Sequence, residues 1–285
     1  MKNEKFRYRM VILHSSFNKF DIFKHFKTPI HMAIFNPHGS SPFSILHSPF
    51  SKFSILNLIS LLLISMASCQ PVKGQSKKIS ILGDSYSTFH GYLTPDTNLC
   101  WYGQEERKNN VKTVEETWWY PLVNKPGYQL ELNNSYSGAT VCNTGYRKED
   151  YSDRSFITRM DNLGAPDIIF VFGGTNDNWA GAPIGEFQYA DWSKETLYSF
   201  RPAFAYMLNY LTTRYPEATI YNIVNSDLKD EVTGSMEEIC RHYGITNIVL
   251  HDIEKQSGHP SINGMASIGR QVWEVVEGEK LKAGN

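Results

Sequence analysis

Residues 167–177 read Asp-Ile-Ile-Phe-Val-Phe-Gly-Gly-Thr-Asn-Asp, and this stretch decides the fold. A β-strand turns successive side chains to opposite faces, so an unbroken apolar run from Ile168 to Phe172 belongs to a strand buried on both sides. Strands of that kind occur in parallel sheets with helices packed on each face. Gly173 and Gly174 then permit a tight turn, and Asn176 and Asp177 follow it. In sheets of this class ligands gather at the carboxyl ends of the strands. The residues that follow each strand are therefore the ones to read for function.

Working outward, strands are expected at Lys78–Gly83, Gln129–Ser135, Thr219–Val224 and Asn247–Leu250. Helices are expected between them. In Thr196–Tyr215 the residues Leu197, Phe200, Phe204, Met207, Leu208 and Leu211 fall three and four apart, and Pro216 ends the pattern. Lys229–Tyr243 and Ile262–Glu279 are two more. The alternation predicts a three-layer α/β/α sandwich with a central parallel sheet of about five strands, in one domain over residues 77–285.

Four segments then fall at one sheet edge. Gly83-Asp84-Ser85-Tyr86-Ser87 leaves the first strand and presents a serine hydroxyl, which becomes a nucleophile only when a base takes its proton. Ser137-Gly138-Ala139-Thr140 follows the second strand, and its glycine can offer a bare backbone N–H to an oxyanion. Asn176 follows the third and can donate its amide to the same oxygen. Gly258-His259-Pro260-Ser261 follows the fifth and supplies a histidine suited to general base work. Taken singly, each is an ordinary turn or surface residue; the four together are a constellation.

In order and spacing these blocks resemble the SGNH hydrolases, also called GDSL esterases, over nearly all of residues 78–279. The resemblance implies Ser85 as nucleophile, His259 as base, and an oxyanion hole made by the Ser85 and Gly138 N–H groups and the Asn176 amide. It implies no cofactor. The G-x-S-x-G elbow of α/β-hydrolases is absent from the sequence. One departure stands out: the family usually has an Asp three residues before the histidine, and here that position is Gln256. Asp252 or Glu254 could orient the imidazole, or a backbone carbonyl could do so and leave a Ser–His dyad.

Upstream, Ile55–Ala67 is an apolar run of 13 residues with Lys52 before it and Ser68-Cys69 after it. It is too short to span a bilayer, for which about 20 residues are needed, and has the form of a signal-peptide core. Residues 55–69 thus read as a signal segment ending in a lipobox, with Cys69 lipidated and Met66 where Leu is usual. The expected location is that of a bacterial lipoprotein, exported and held to the membrane through its lipid alone. Residues 1–54 contain Pro29, Pro37, Pro42 and Pro49 and no sustained period. They read as a disordered extension or an early start, with Met32 as one later candidate.

Residues 1–68 carry eight Lys/Arg and two Asp/Glu; with −1 for the whole chain, residues 69–285 carry about −7. That balance gives no electrostatic footprint for nucleic acid. No C-x-x-C or H-E-x-x-H occurs, so no metal site is expected. Cys100, Cys142 and Cys240 are either free thiols or include a Cys100–Cys142 bridge.

The substrate reading comes from aromatic loops. Tyr86–Tyr120 holds Phe89, Tyr92, Trp101, Tyr102, Trp118, Trp119 and Tyr120, and the loop after Asn176 holds Trp179, Phe187, Tyr189 and Trp192. Such rings either face sugar substrates or pack the loop as a small core. The first reading gives an esterase removing acyl groups, acetyl foremost, from carbohydrates. The alternatives are a lipase, lysophospholipase or thioesterase on the same fold, or a glycan-binding lipoprotein without catalysis.

Overall fold

The computed structural model describes residues 76–283. The readings of residues 1–54, of residues 55–69 and of Cys69 lie outside the described residues. Strands β1 (Lys77–Gly83), β2 (Tyr128–Ser135), β3 (Ile168–Phe172), β4 (Thr219–Val224) and β5 (Thr246–Val249) form one sheet in the order β2-β1-β3-β4-β5. Every neighbouring pair is parallel. A two-stranded antiparallel ribbon, β6 (Lys255–Gln256) with β7 (His259–Pro260), follows the sheet. The helices are α1 (Tyr120–Val123), α2 (Phe156–Arg159), α3 (Thr175–Ala180), α4 (Phe200–Arg214), α5 (Asp230–Tyr243) and α6 (Ile262–Ala283).

The decisive strand behaves as its composition demands. Ile169 and Val171 enter one apolar layer with Leu82 and the buried faces of α4 and α5. Ile168, Phe170 and Phe172 enter the other, with Ile79, Ile81, α6 and the long loop after β1. Burying each such side chain contributes about 1.5–3 kcal/mol, so a strand of this kind is stable only between two layers. A three-layer sandwich results.

Two boundaries differ from the sequence expectation. The helix expected from Thr196 is broken at Ser199, which is extended (φ −115°, ψ 146°) between a 3-10 turn at Thr196–Tyr198 and α4. The Phe200 N–H is drawn instead to the Pro183 carbonyl, at 2.8 Å. The ribbon β6–β7 was not anticipated, because two-residue strands show no period.

The loop rings divide between the two roles. Phe89, Tyr102, Trp118 and Trp119 are buried in the second layer, the small-core alternative, while Tyr92, Trp179 and Phe187 are exposed. Cys100, Cys142 and Cys240 are all free and buried. Among the described residues no helix is long and apolar enough to cross a membrane.

Candidate active site

The chain runs from β1 to β2 on one side and then to β3 on the other, so the strand order reverses at β1. Crevices for ligands open at such reversals, beyond the strand ends. Gly83 pairs with Phe172 in register, and one residue on the Asp84 N–H donates to the Phe172 carbonyl at 3.2 Å. Ser85 thereby starts a 3-10 turn, Ser85–Ser87, directly over the reversal. The Asp84 carboxylate caps that turn by accepting the Tyr86 N–H at 3.0 Å.

His259 arrives from the ribbon. Ser257 and Gly258 both have positive φ, 51° and 79°, which fits the tight two-residue turn of a hairpin. The turn sets His259 opposite Gln256 and brings its Nε2 to 3.0 Å from Ser85 Oγ. Its Nδ1 lies 3.2 Å from the Ser257 carbonyl. A proton on Nδ1 donated to that carbonyl leaves Nε2 free to accept from the serine.

No carboxylate reaches Nδ1 among the described residues. Asp252 is exposed and meets His251, with Oδ2 2.9 Å from Nδ1 of that neighbour. Glu254 accepts from the Ser261 hydroxyl and from Asn263 Nδ2, the latter at 3.1 Å. Both candidate acids of the sequence reading therefore stand elsewhere. Gln256 uses its Oε1 to accept the Asn110 N–H at 3.1 Å, so it fastens the long loop to the ribbon.

The oxyanion candidates converge on the same edge. Gly138 has φ +83°, a backbone that L side chains rarely adopt. Among the described residues no acceptor takes the N–H of Ser85 or of Gly138. Asn176 sits in α3, whose cap Gly174 (φ 85°) lies where a Cβ would run into Met236. Its Nδ2 donates to the Ala139 carbonyl at 3.0 Å and lies 3.4 Å from Asp84 Oδ2. Its Oδ1 accepts the Tyr146 hydroxyl at 2.7 Å, which fixes the amide orientation.

Burial dominates the electrostatics. It pulls His259 down to about 4, with the Arg107 charge adding to the fall and the Ser257 bond opposing it. The imidazole is then neutral at pH 7, the state in which it can accept a proton. It pushes Asp84 up to about 7, with the neighbouring Asp177 adding to the rise. Asp177 is lifted to about 6, while the Val141 and Cys142 N–H groups it accepts, at 2.8 and 3.1 Å, hold it down. Asp177 thereby ties α3 to the Gly138 loop. Arg159, buried nearby, donates to the carbonyls of Gly83, Asn134 and Arg154.

The His259 environment makes a pH prediction. Depressed basicity keeps the base form present until the pH falls through the folded-state value. The acid limb of kcat/KM for p-nitrophenyl acetate is therefore expected near pH 4, not near 6.5. A limb at 6–7, with the fold intact by circular dichroism, would mean a solvated histidine.

A model of GDSL-like lipases and acylhydrolases matches residues 77–276. The chain belongs to that family. It is similar to a candidate GDSL-like lipase from Bacteroides uniformis ATCC 8492, with 67% identity over 71% of this chain and 96% of that one, at a TM-score of 0.70. A second, from Bacteroides ovatus ATCC 8483, shares 56% identity over 71% and 99% of the two chains, also at 0.70. A carbohydrate esterase shares the fold alone, with 16% identity over 72% and 70% and a TM-score of 0.50. No curated protein matches in sequence. Membership makes this chain an ester hydrolase by class, on the three-layer α/β fold of the family.

Within this GDSL-like hydrolase, sequence reading had singled out Ser85, Gly138, Asn176 and His259, and the fold brings all four to one edge. It had missed Tyr146, Arg159 and the capping role of Asp84. Arg159 and Tyr146 lie outside any motif, on segments without a usable period. Asp84 and Asp177 were visible inside the blocks, but only the folded contacts show what they hold.

Proposed function

We propose that this GDSL-like hydrolase removes short acyl groups, acetyl foremost, from carbohydrates by way of a Ser85 acyl-enzyme. The observation that carries the reading is the 3.0 Å approach of His259 Nε2 to Ser85 Oγ beside two untaken backbone N–H groups. His259 takes the serine proton as Oγ attacks the ester carbonyl. Charge builds on the carbonyl oxygen, where the untaken Ser85 and Gly138 N–H groups receive it; the Asn176 amide joins them when the substrate oxygen displaces its longer contact, the 3.4 Å one to Asp84 Oδ2. The tetrahedral species collapses, the alcohol leaves with the proton from His259, and water repeats the sequence to free the acid. The Ser257 carbonyl, in place of a carboxylate, keeps the imidazole in the required tautomer.

Support for a short acyl group and a sugar comes from what surrounds the dyad. Trp179 is 44% exposed, and its ring lies 6.1 Å from His259 and 6.4 Å from Tyr86. It is an open aromatic face of the kind that meets the C–H side of a sugar ring. A large apolar groove of about 400 Å³, lined by Trp118, Leu122, Met265 and Trp273, includes neither Ser85 nor His259. A long acyl chain would want such a groove at the serine.

The test is acyl release from acetylated xylan and from p-nitrophenyl esters of rising chain length. Acetyl is expected to be cleaved at least tenfold faster in kcat/KM than octanoyl, about 1.4 kcal/mol of discrimination. The reverse order would favour the lipase reading. Export and lipid attachment at Cys69 belong to the same proposal, supported by the Ile55–Cys69 pattern. Radiolabelled palmitate fed to an expressing bacterium is expected to label the wild type and not Cys69→Ala; equal labelling would remove the anchor.

A further inference from the structure

In a Ser–His–acid triad the carboxylate does two things: it holds the imidazole in place and supports its charge once the serine proton arrives. Among the described residues the only hydrogen bond at Nδ1 here is to a neutral carbonyl. A different group lies against the ring. The indole of Trp101 stacks on His259 with centroids 3.6 Å apart and planes within 5°. The outer face of the same indole carries Arg107, whose Cζ is 4.2 Å from the ring centre. The three side chains form one column: guanidinium, indole, imidazole.

The column is anchored to both halves of the dyad. The Trp101 N–H donates to Thr88 Oγ1 at 2.9 Å, and that hydroxyl donates to the Ser85 carbonyl at 2.9 Å. Next along the loop, the Tyr102 hydroxyl donates to the Pro260 carbonyl at 2.9 Å, and Asn109 Nδ2 reaches the same oxygen at 3.1 Å. The indole N–H itself has no partner among the described residues, so stacking and the backbone set the position of the ring. One loop thus spans the nucleophile turn and the base turn.

We infer that Trp101 is a positioning residue that takes the place of the missing triad carboxylate, and that Arg107 on its outer face tunes the strength of the base. A ring covered over one whole face cannot swing away from Ser85. When the proton moves, the new imidazolium lies on the electron-rich face of an indole, which attracts cations. Arg107 draws on the same π system from the opposite face and repels the imidazolium. The other groups facing His259 are the Ser85 hydroxyl, the phenols of Tyr86 and Tyr102 at 5.4 and 6.3 Å, and the edge of Trp179. Burial holds both phenols well above their ordinary range, so they are neutral, and Arg107 is the charged member of the set.

This inference rests on the dyad reading above, and the test separates the two. Steady-state kinetics and full pH profiles with p-nitrophenyl acetate would compare Trp101→Phe, Trp101→Leu and Arg107→Gln with Ser85→Ala and His259→Ala, all checked for thermal unfolding. Trp101→Leu is expected to lose kcat by roughly tenfold or more with KM nearly unchanged, the effect of a misplaced base. Trp101→Phe, which keeps an aromatic face, recovers most of that loss. Arg107→Gln moves the acid limb of kcat/KM to higher pH, and high salt moves the wild-type limb in the same direction. If Trp101→Leu is folded and keeps the wild-type kcat while Ser85→Ala is dead, the positioning role falls and the dyad survives. A limb that stays or moves down in Arg107→Gln overturns the tuning role, a readout available even where Trp101→Leu does not fold. Activity surviving in Ser85→Ala overturns the dyad itself.

Discussion

Replacing Ser85 or His259 by Ala is expected to lower kcat on p-nitrophenyl acetate by roughly 10⁴-fold or more, with KM changed little. Each change removes one half of a single proton-coupled attack: without Oγ there is no acyl-enzyme, and without Nε2 the hydroxyl keeps its proton. The double variant is expected to be no slower than either single one, because groups that act as a unit do not add. The absence of a carboxylate on Nδ1 places the loss toward the low end of what triads show, since the wild type starts from a weaker base. Residual hydrolysis above the buffer rate would come from the oxyanion donors, which each variant keeps. Measurement of kcat and KM for the three variants checks this. Losses that multiply in the double variant would mean that the two residues act independently.

The second large effect concerns stability. Arg159 sits 8% exposed, with its guanidinium spread over the carbonyls of Gly83, Asn134 and Arg154. Burial drags it down to about 9, so it remains charged at neutral pH, and the Asp84 charge helps to keep it so. Arg159→Met fills much of the volume yet takes the guanidinium donors from the Asn134 and Arg154 carbonyls, leaves Gly83 O with the Tyr136 N–H alone, and removes a positive charge that favours the Asp84 carboxylate. Breaking a buried charged network in this way typically costs about 3–5 kcal/mol, or roughly 6–20 °C in the unfolding midpoint of a domain this size. Arg159→Lys is expected to restore only part of that, because one ammonium cannot reproduce the fork. Thermal melts at pH 7 decide it; a shift below 2 °C for Arg159→Met would show that the carbonyls find other partners. The same contact to Gly83 O, two residues before Ser85, predicts that activity falls in step with stability.

Much of this molecule can be read from its composition in order. The Ile168–Phe172 run forces a two-sided burial, and with that strand placed, the alternation around it leaves little choice of architecture. The four motif blocks then share an edge as a consequence of all strands running parallel. Three things were not legible. The first was which way each aromatic ring points: Trp118 and Trp119 look identical in sequence to a sugar platform, yet both are buried in the second layer, where Trp118 packs edge-on against Phe170 and Phe172 and its Nε1 finds Ser87 Oγ at 3.2 Å. The second was the meaning of Gln256, which reads as a lost acid but pins Asn110 instead. The third was the ribbon that carries His259. Its one sequence signal, Ser257-Gly258, is a common turn pair, and only the positive φ angles and the Gln256–His259 pairing reveal it.

Covalent capture tests most directly whether Ser85 is a nucleophile activated by His259. Diethyl p-nitrophenyl phosphate offers the serine an electrophile that loses p-nitrophenolate as the Oγ–P bond forms and leaves a stable diethylphosphoryl ester. Incubation followed by peptide mass spectrometry is predicted to place one diethylphosphoryl group on the peptide containing Ser85, with one equivalent of p-nitrophenolate released. Labelling is predicted to slow sharply in His259→Ala. A label on any other residue, or a Ser85 label formed as fast without His259, would contradict a Ser85 nucleophile activated by His259.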